Sequence, residues 1–384
     1  MKELKVNMEA QPIEYFSTMG CRTVNGHDIN FMETFKYNIE KLLNDEDNKV
    51  IENYTSAAQK DGRGNICPVT IIMPTIAMMA KEQEGDIVSN FMVVLDKKIH
   101  EAKDMLLERF YYISSQSPAS AKFMYENNTM GGYIPEEGIV SALKHGTIVI
   151  GQLGLSETLY ILIGKDHTTS EGMELAKRIE KLFNTRCAEF KKDYHMNFGV
   201  YYTPAENLCY TALKKWKEQY GEMENVTYYM DGNQKIEKKF FTNSMHVPVW
   251  KEISPFEKID IESQLTGYSN AGCITYVEVQ HEVIHNIDAL ESLVNYAMDK
   301  DIPYFAINCP ADCCEDCGYQ GQIDEVCPKC GSAHISRLRR VTGYLTGDYT
   351  TAFNKGKQNE VELRVKHQSE IKFCNENTCT CNDD

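Results

Sequence analysis

The sequence predicts an α/β fold: part of a barrel-like array of parallel strands and helices, followed by a small module held by metal. Three observations predict it. Short apolar runs alternate with segments of helical period, the pattern of β-α-β units with a largely parallel sheet. At 384 residues with 42% apolar residues, the chain is long enough for two or three domains or one large α/β barrel. Near residue 309 this alternation gives way to cysteines and turns.

The elements follow in order. Residues 86–113 carry apolar side chains at helical spacing. So do residues 170–192, through Met173, Leu175, Ala176, Ile179, Leu182 and Phe183. Buried strands are expected at Val69–Ile72, Thr147–Ile150, Phe198–Tyr202, Cys273–Val279 and Tyr304–Ile307, with a helix at Ile287–Met298 between the last two. Phe373–Asp384, with Cys374, Cys379 and Cys381, is polar and expected to be a mobile tail.

Composition excludes several classes. The net charge is −16 and no Lys/Arg run is long enough to track a phosphate backbone, so direct nucleic-acid binding is not expected. No run approaches the roughly 18 apolar residues a membrane span needs, and Met1–Lys5 leads into no apolar segment of signal-peptide length. The 14 cysteines cluster in metal-like spacings rather than in a short disulfide framework, which points to a reducing cytoplasm.

Cys314-x2-Cys317 and Cys327-x2-Cys330 are separated by nine residues, with Gly318 and Gly331 following each pair as turns require. Each pair can wrap one face of a tetrahedral ion, and four thiolates with no open position suit structural zinc better than iron. Cys313 is adjacent and could exchange with Cys314 as a ligand, though spacing favours Cys314. A ribbon of this kind could equally serve to bind a protein or nucleic acid.

Ten residues past Cys330 begins Arg340-Val341-Thr342-Gly343-Tyr344-Leu345. An isolated glycine in a strand pattern usually marks a bulge or tight bend. Glycine has a second property. A radical at its Cα is flanked by an amide nitrogen and a carbonyl that delocalise it, and without a Cβ the centre flattens freely. The run continues into Phe353-Asn354-x-Gly356-Lys357 and Glu362-x-Arg364-Val365. Together these resemble the C-terminal signature of glycyl radical enzymes, and with the rest of the chain they resemble the anaerobic (class III) ribonucleoside-triphosphate reductases. Five further segments carry that likeness: Ser17–Thr23 around Cys21, Asp61–Asn65, Leu143–Thr147 continuing through Gly151 and Gly154 to Glu157, Thr203–Glu206, and Thr242–Pro248. Read bare, Cys21 is equally a buried free thiol, and the hydroxyl-rich turns are equally helix caps.

The resemblance implies the C-terminal part of a ten-stranded β/α barrel over residues 1–308, with the thiyl-radical loop at 17–23. It also implies a zinc ribbon at 309–333, a glycyl radical loop at 334–372 and a tail at 373–384. Gly343 would be the modified glycine, activated by an S-adenosylmethionine-dependent iron–sulfur activase. Cys21, with Gly20 allowing its turn, would take the ribose 3′-hydrogen. Formate or a dithiol would supply electrons for converting ribonucleoside triphosphates to 2′-deoxyribonucleotides, for DNA synthesis in anaerobic cells. Backbone N–H groups at helix starts bind phosphate without a basic patch, so Thr203, Pro204, Ala205 and Glu206 with Thr242, Asn243 and Ser244 are the candidate substrate-binding residues. Proline at a first helical position would start a helix at the first of these turns. His246 is expected to be a structural, hydrogen-bonded histidine. Cys67, Cys187, Cys209 and Cys273 are expected in the core.

Family members are usually much longer. A separately encoded N-terminal half is therefore expected as a partner. It would carry the first barrel strands, a second cysteine and the ATP/dNTP effector sites, in an assembled homodimer. Alternatives are another glycyl radical enzyme, of formate-lyase or dehydratase type, or an inactive fragment bearing a zinc ribbon.

Overall fold

A computed structural model describes residues 17–18, 24–25, 28–30, 64–127, 129–130, 132–323, 325–341, 343–346 and 348–365. The strands are β1 (Ser17–Thr18), β2 (Val24–Asn25), β3 (Asn65–Ile72), β4 (Thr147–Leu153), β5 (Asn197–Tyr201), β6 (Tyr228–Asp231), β7 (Gln234–Glu237), β8 (Thr275–Glu278), β9 (Phe305–Asn308), β10 (Ala311–Cys314), β11 (Gln320–Gly321), β12 (Ile335–Val341) and β13 (Tyr344–Thr346). The α-helices are α1 (Met73–Lys81), α2 (Ile87–Ser114), α3 (Lys122–Glu126), α4 (Val140–Leu143), α5 (Leu155–Ile163), α6 (Ser170–Tyr194), α7 (Glu206–Tyr220), α8 (Pro255–Thr266), α9 (Ile287–Asp299), α10 (Tyr349–Ala352) and α11 (Lys355–Glu362). No helix among the described residues is long and apolar enough to cross a membrane.

The centre is a parallel sheet in the order β3-β4-β5. Every residue of β4 and β5 is buried, as their short apolar runs require of strands covered on both faces. Helices α2 and α6 cover the sheet. Phe91, Leu95 and Ile99 of the first and Ile179 and Phe183 of the second share one core with Ile148, Ile150, Phe198 and Val200. Each is capped where its apolar period begins: the Asp86 side chain accepts from Ser89 N, and Thr169 from Gly172 N. A parallel bridge from Tyr201 to Gly272 joins β5 to the stretch entering β8, which pairs in parallel with β9. Helices α8 and α9 pack there on a second core of Ile259, Val277, Val279, Leu293 and Ala297.

The five expected strands and three expected helices are all present, with ends shifted by a few residues. Helices α5 and α8 and the β6–β7 hairpin lie outside those expectations. Two details differ. Cys67 is not core: its backbone is left-handed (φ 51°) at a bulge between Ile66 and Val69, which leaves it half-buried. Cys187, Cys209 and Cys273 are fully buried. Pro204 does not open α7 either. That helix begins at Glu206, after Ala205 turns the chain through a left-handed φ of 39°.

Beyond residue 309 the architecture changes to one antiparallel sheet in the order β11-β10-β12-β13. Its longest strand, β12, pairs with β10 on one side and, before Gly343, with β13 on the other. Near the N-terminus, β1 and β2 pair antiparallel, Ser17 with Asn25 and Thr18 with Val24. They bracket a loop whose residue Cys21 lies outside the described residues, as do Gly20, Asp61 to Arg63 and the tail at 373–384.

Candidate functional site

The C-terminal ends of parallel strands are where α/β folds build sites. Both candidate turns gather there. After β5 the chain runs through Thr203 to Ala205 into α7, and the Thr203 hydroxyl meets that of Thr70 on β3 at 2.9 Å. This approach needs a glycine on the intervening strand: a Cβ on Gly151 would stand 1.8 Å from Thr203 Oγ1 and 2.9 Å from the Tyr201 carbonyl.

The second turn, Thr242 to Ser244, is buried and fixed on the first. Ser244, left-handed at φ 42°, donates its hydroxyl to the Thr203 carbonyl at 2.8 Å. The Asn243 amide, oriented with its nitrogen toward Pro204, donates to that carbonyl at 2.7 Å and accepts from Lys357 Nζ at 3.2 Å. Thr242 donates N–H and hydroxyl to Glu157 Oε1 at 3.0 and 2.8 Å. That oxygen also takes Lys238 Nζ at 2.6 Å, in a pair with no exposure on either side. Burial pulls the Lys238 ammonium below its usual range, against the opposing pull of Glu157. No helix follows Ser244 before α8, so this turn is not a cap.

Gly343 is exposed at the turn closing β12 and β13, next to the Val341–Tyr344 pair. Its φ lies outside the left-handed region. The atom nearest to where a Cβ would stand is Glu206 Oε1, at 2.5 Å. That atom is the free end of a flexible side chain, able to swing aside. Neither backbone conformation nor packing therefore demands a glycine at 343. The same contact sets the first residue of α7, in the candidate phosphate turn, directly against the glycine.

A cleft adjoins these turns, lined among others by Thr242, Asn243, His246, Lys258, Glu278 and Arg364. His246 is held from behind, its Nδ1 3.3 Å from Glu262 Oε1, which also takes the Val247 N–H and the Lys258 ammonium. Burial acts to raise the Glu262 carboxyl, but the charges of Lys258 and His246 outweigh it and hold it well below the carboxylate range.

The four cysteines of the paired motif come together, their sulfurs within 4.8 Å of one another. Cys314–Cys330 and Cys317–Cys327 Sγ separations are 3.5 and 3.6 Å. A tetrahedral zinc with bonds of about 2.3 Å spaces its sulfurs by about 3.8 Å, so the donor set and its dimensions suit that ion. Cys313 is not in the cluster; its thiol faces the Cys314 carbonyl at 3.7 Å.

Residues 2–367 match the family model of the anaerobic ribonucleoside-triphosphate reductases. The chain belongs to this family. The reductase of Escherichia coli K12 is 32% identical over 331 residues, covering 83% of this chain and 44% of that protein. That of Enterobacteria phage T4 is 30% identical over 319 residues, covering 80% and 49% respectively. The chain thus spans less than half the length of these reductases. Among solved structures, an anaerobic ribonucleotide reductase superposes with a TM-score of 0.61 at 20% identity over 79% of this chain. The Thermotoga maritima enzyme in complex with dATP and CTP gives 0.56 at 20% over 78%. At those identities the likeness is one of fold.

Several residues that hold the sheet and the site together were not singled out as site residues in the sequence. Asp28, buried, accepts from Asn197 at 2.8 Å and lies 2.7 Å from His145 Nδ1, tying the segment after β2 to the starts of β4 and β5. Glu157, Lys357 and Arg364 act likewise. The available signal was a charged residue inside an otherwise apolar run, as at Glu157 in Leu155–Ile163.

Proposed function

We propose that this chain is the portion of an anaerobic ribonucleoside-triphosphate reductase that carries both radical positions, Gly343 and Cys21, and that it reduces ribonucleoside triphosphates to 2′-deoxyribonucleotides. The observation that carries this is Gly343: a glycine that neither backbone nor packing requires, in a hairpin seated on the turn that begins α7. Chemistry at the Cα is the remaining reason for the residue. Family membership supports the same conclusion and disfavours the lyase and dehydratase readings.

In this reading the parallel strands form part of a ten-stranded barrel, and the loop between β1 and β2 presents Cys21 to the ribose. The Thr203–Glu206 and Thr242–Ser244 turns line the substrate. The N–H groups near the start of α7 face its phosphates, and the polar wall of the adjoining cleft offers donors and acceptors to the sugar. Glu206 is the exception in that turn, because its carboxylate would repel a phosphate and faces the glycine instead. Zinc holds the ribbon. An S-adenosylmethionine-dependent iron–sulfur activase generates the glycyl radical, and formate or a dithiol is the reductant. The remaining strands and the ATP/dNTP sites come from a separately encoded N-terminal half, and the assembled enzyme is a homodimer.

The test is spectroscopic. Anaerobic treatment with such an activase should produce an electron paramagnetic resonance doublet that collapses to a singlet when glycine is deuterated at Cα. Nucleotide reduction by the assembled enzyme should follow. A zinc-loaded chain giving no doublet under these conditions would leave only a ribbon-bearing fragment.

A further inference from the structure

We propose that Arg364 is a positioning residue that sets the Gly343 hairpin in place over α7; this deepens the reductase reading above and rests on it. The need for such a residue follows from the sheet. The β10 ladder ends with Ala311 opposite Leu338, so among the described residues Arg339, Arg340 and Val341 continue toward Gly343 paired only with β13. The hairpin that carries the glycine is therefore a two-stranded ribbon, and such ribbons are marginal alone. Arg364 supplies what the missing strand would have given: its Nη1 donates to the Arg340 carbonyl at 2.9 Å.

The same guanidinium is fixed from two other elements. It lies 3.2 Å from Glu278 Oε2 at the end of β8 and 3.7 Å from Glu360 Oε1 on α11. A planar fork can hold a carbonyl and two carboxylates at once; an ammonium on a flexible stem cannot keep all three. Arg364 also stands on a firm base. The helix just before it, α11, is anchored by Lys357, fully buried with its Nζ 3.6 Å from Cys209 Sγ of α7, and by Asn359, whose side-chain oxygen accepts from Lys239 N at 2.9 Å. Just beyond, Val365 N donates to the Val249 carbonyl at 2.9 Å. A Cβ on Gly356 would collide with Tyr210 of α7 and the Lys239 carbonyl, so α11 lies hard against α7. The hairpin is thus seated at two points: its tip against Glu206 at the start of α7, its base against Arg364 just past α11.

The experiment compares Arg364→Met and Arg364→Lys with the unaltered full chain by amide hydrogen exchange and by the glycyl radical signal. In Arg364→Met, peptides covering 338–346 should exchange at least tenfold faster, with peptides of β4 and β5 and the zinc content unchanged. The radical doublet per zinc-loaded chain should fall about tenfold. Arg364→Lys should recover only part of either loss. Unchanged exchange in the hairpin, equal acceleration in β4 and β5, or a full-strength doublet despite a loosened hairpin would each overturn the proposal. If the unaltered chain yields no doublet, it is the reductase reading that fails, and the exchange result still decides whether Arg364 seats the hairpin.

Discussion

Glu180 is a carboxylate in the wrong solvent. It sits on α6 with no exposure, accepting from Gln152 Nε2 at 2.8 Å. Burial pushes its carboxyl up to about 8, against the hydrogen bonds of Tyr202 and Gln152, which favour the charged form. Between the ordinary carboxyl value and about 8 the folded chain keeps a proton that the unfolded chain releases. Stability should therefore fall as pH rises through that window, by up to about 1.4 kcal/mol per unit, and level off above it. Glu180→Gln should flatten this dependence and raise the denaturation midpoint at pH 8. Urea melts across the window check it, and parallel curves for the two proteins would refute it. Gly343 makes the opposite case, a residue whose replacement costs the fold little. Gly343→Ala needs only the Glu206 tip to swing aside, so its stability should stay within about 0.5 kcal/mol of the original, as for other surface changes. The doublet should vanish entirely.

At the scale of elements, β12 joins two functions. One end pairs with β10 in the cysteine module, Cys314 opposite Ile335, and the other carries Gly343. The module's own core is Cys314, Ile323, Cys327 and Ile335 with Cys317 and Tyr319 against them, far too little apolar surface to fold unaided. A zinc ion held by the four thiolates would supply the stability this core lacks. Stripping the zinc with a chelator should open β10 to β13 together and abolish radical formation, while β4 and β5 keep their exchange protection. An apo chain that forms a full doublet would show that the ribbon does not hold the hairpin. The Asp28–His145–Asn197 knot does the corresponding work at the other end of the sheet. Burial alone would raise the Asp28 carboxyl, but His145 and Asn197 outweigh it and bring it below its usual range. The stability it contributes is present above the unfolded carboxyl value and is lost as pH falls through the lowered folded one. Asp28→Ala, which leaves its buried partners unsatisfied, should cost about 3 kcal/mol in urea melts at pH 7.

At the scale of the whole molecule, the legible parts are those whose signal is local. Strand β4 carries the short apolar run Ile148–Ile150, and α6 repeats its apolar residues at helical spacing, so the order of residues alone marks both. Helix α8 carries a full capping box at Ser254 and Glu257, but Lys258 and Glu262 are turned inward where apolar residues would have marked its face. The β6–β7 hairpin is only partly buried and has no apolar run to mark its strands, so its one sequence signal is the two-residue Gly232-Asn233 turn. The site divides the same way. Its turns and its cysteine pairs are contiguous motifs. What fixes them is not: Thr242 is held by Glu157, 85 residues away, and Asn243 by Lys357. The sheet also bears on the proposed partner half. Every residue of β4 and β5 is buried, whereas β3, paired among the described residues only with β4, is mostly half-buried. Parallel strands are stable only when covered on both faces and both edges. Supplying the N-terminal half of the reductase as a separate chain should therefore slow amide exchange in Asn65–Ile72 more than in β4 or β5. The two chains should co-elute in size-exclusion chromatography, and nucleotide reduction should appear only in the mixture. Reduction by the 384-residue chain alone, or an assembly that leaves β3 exchange untouched, would mean that the barrel is completed elsewhere.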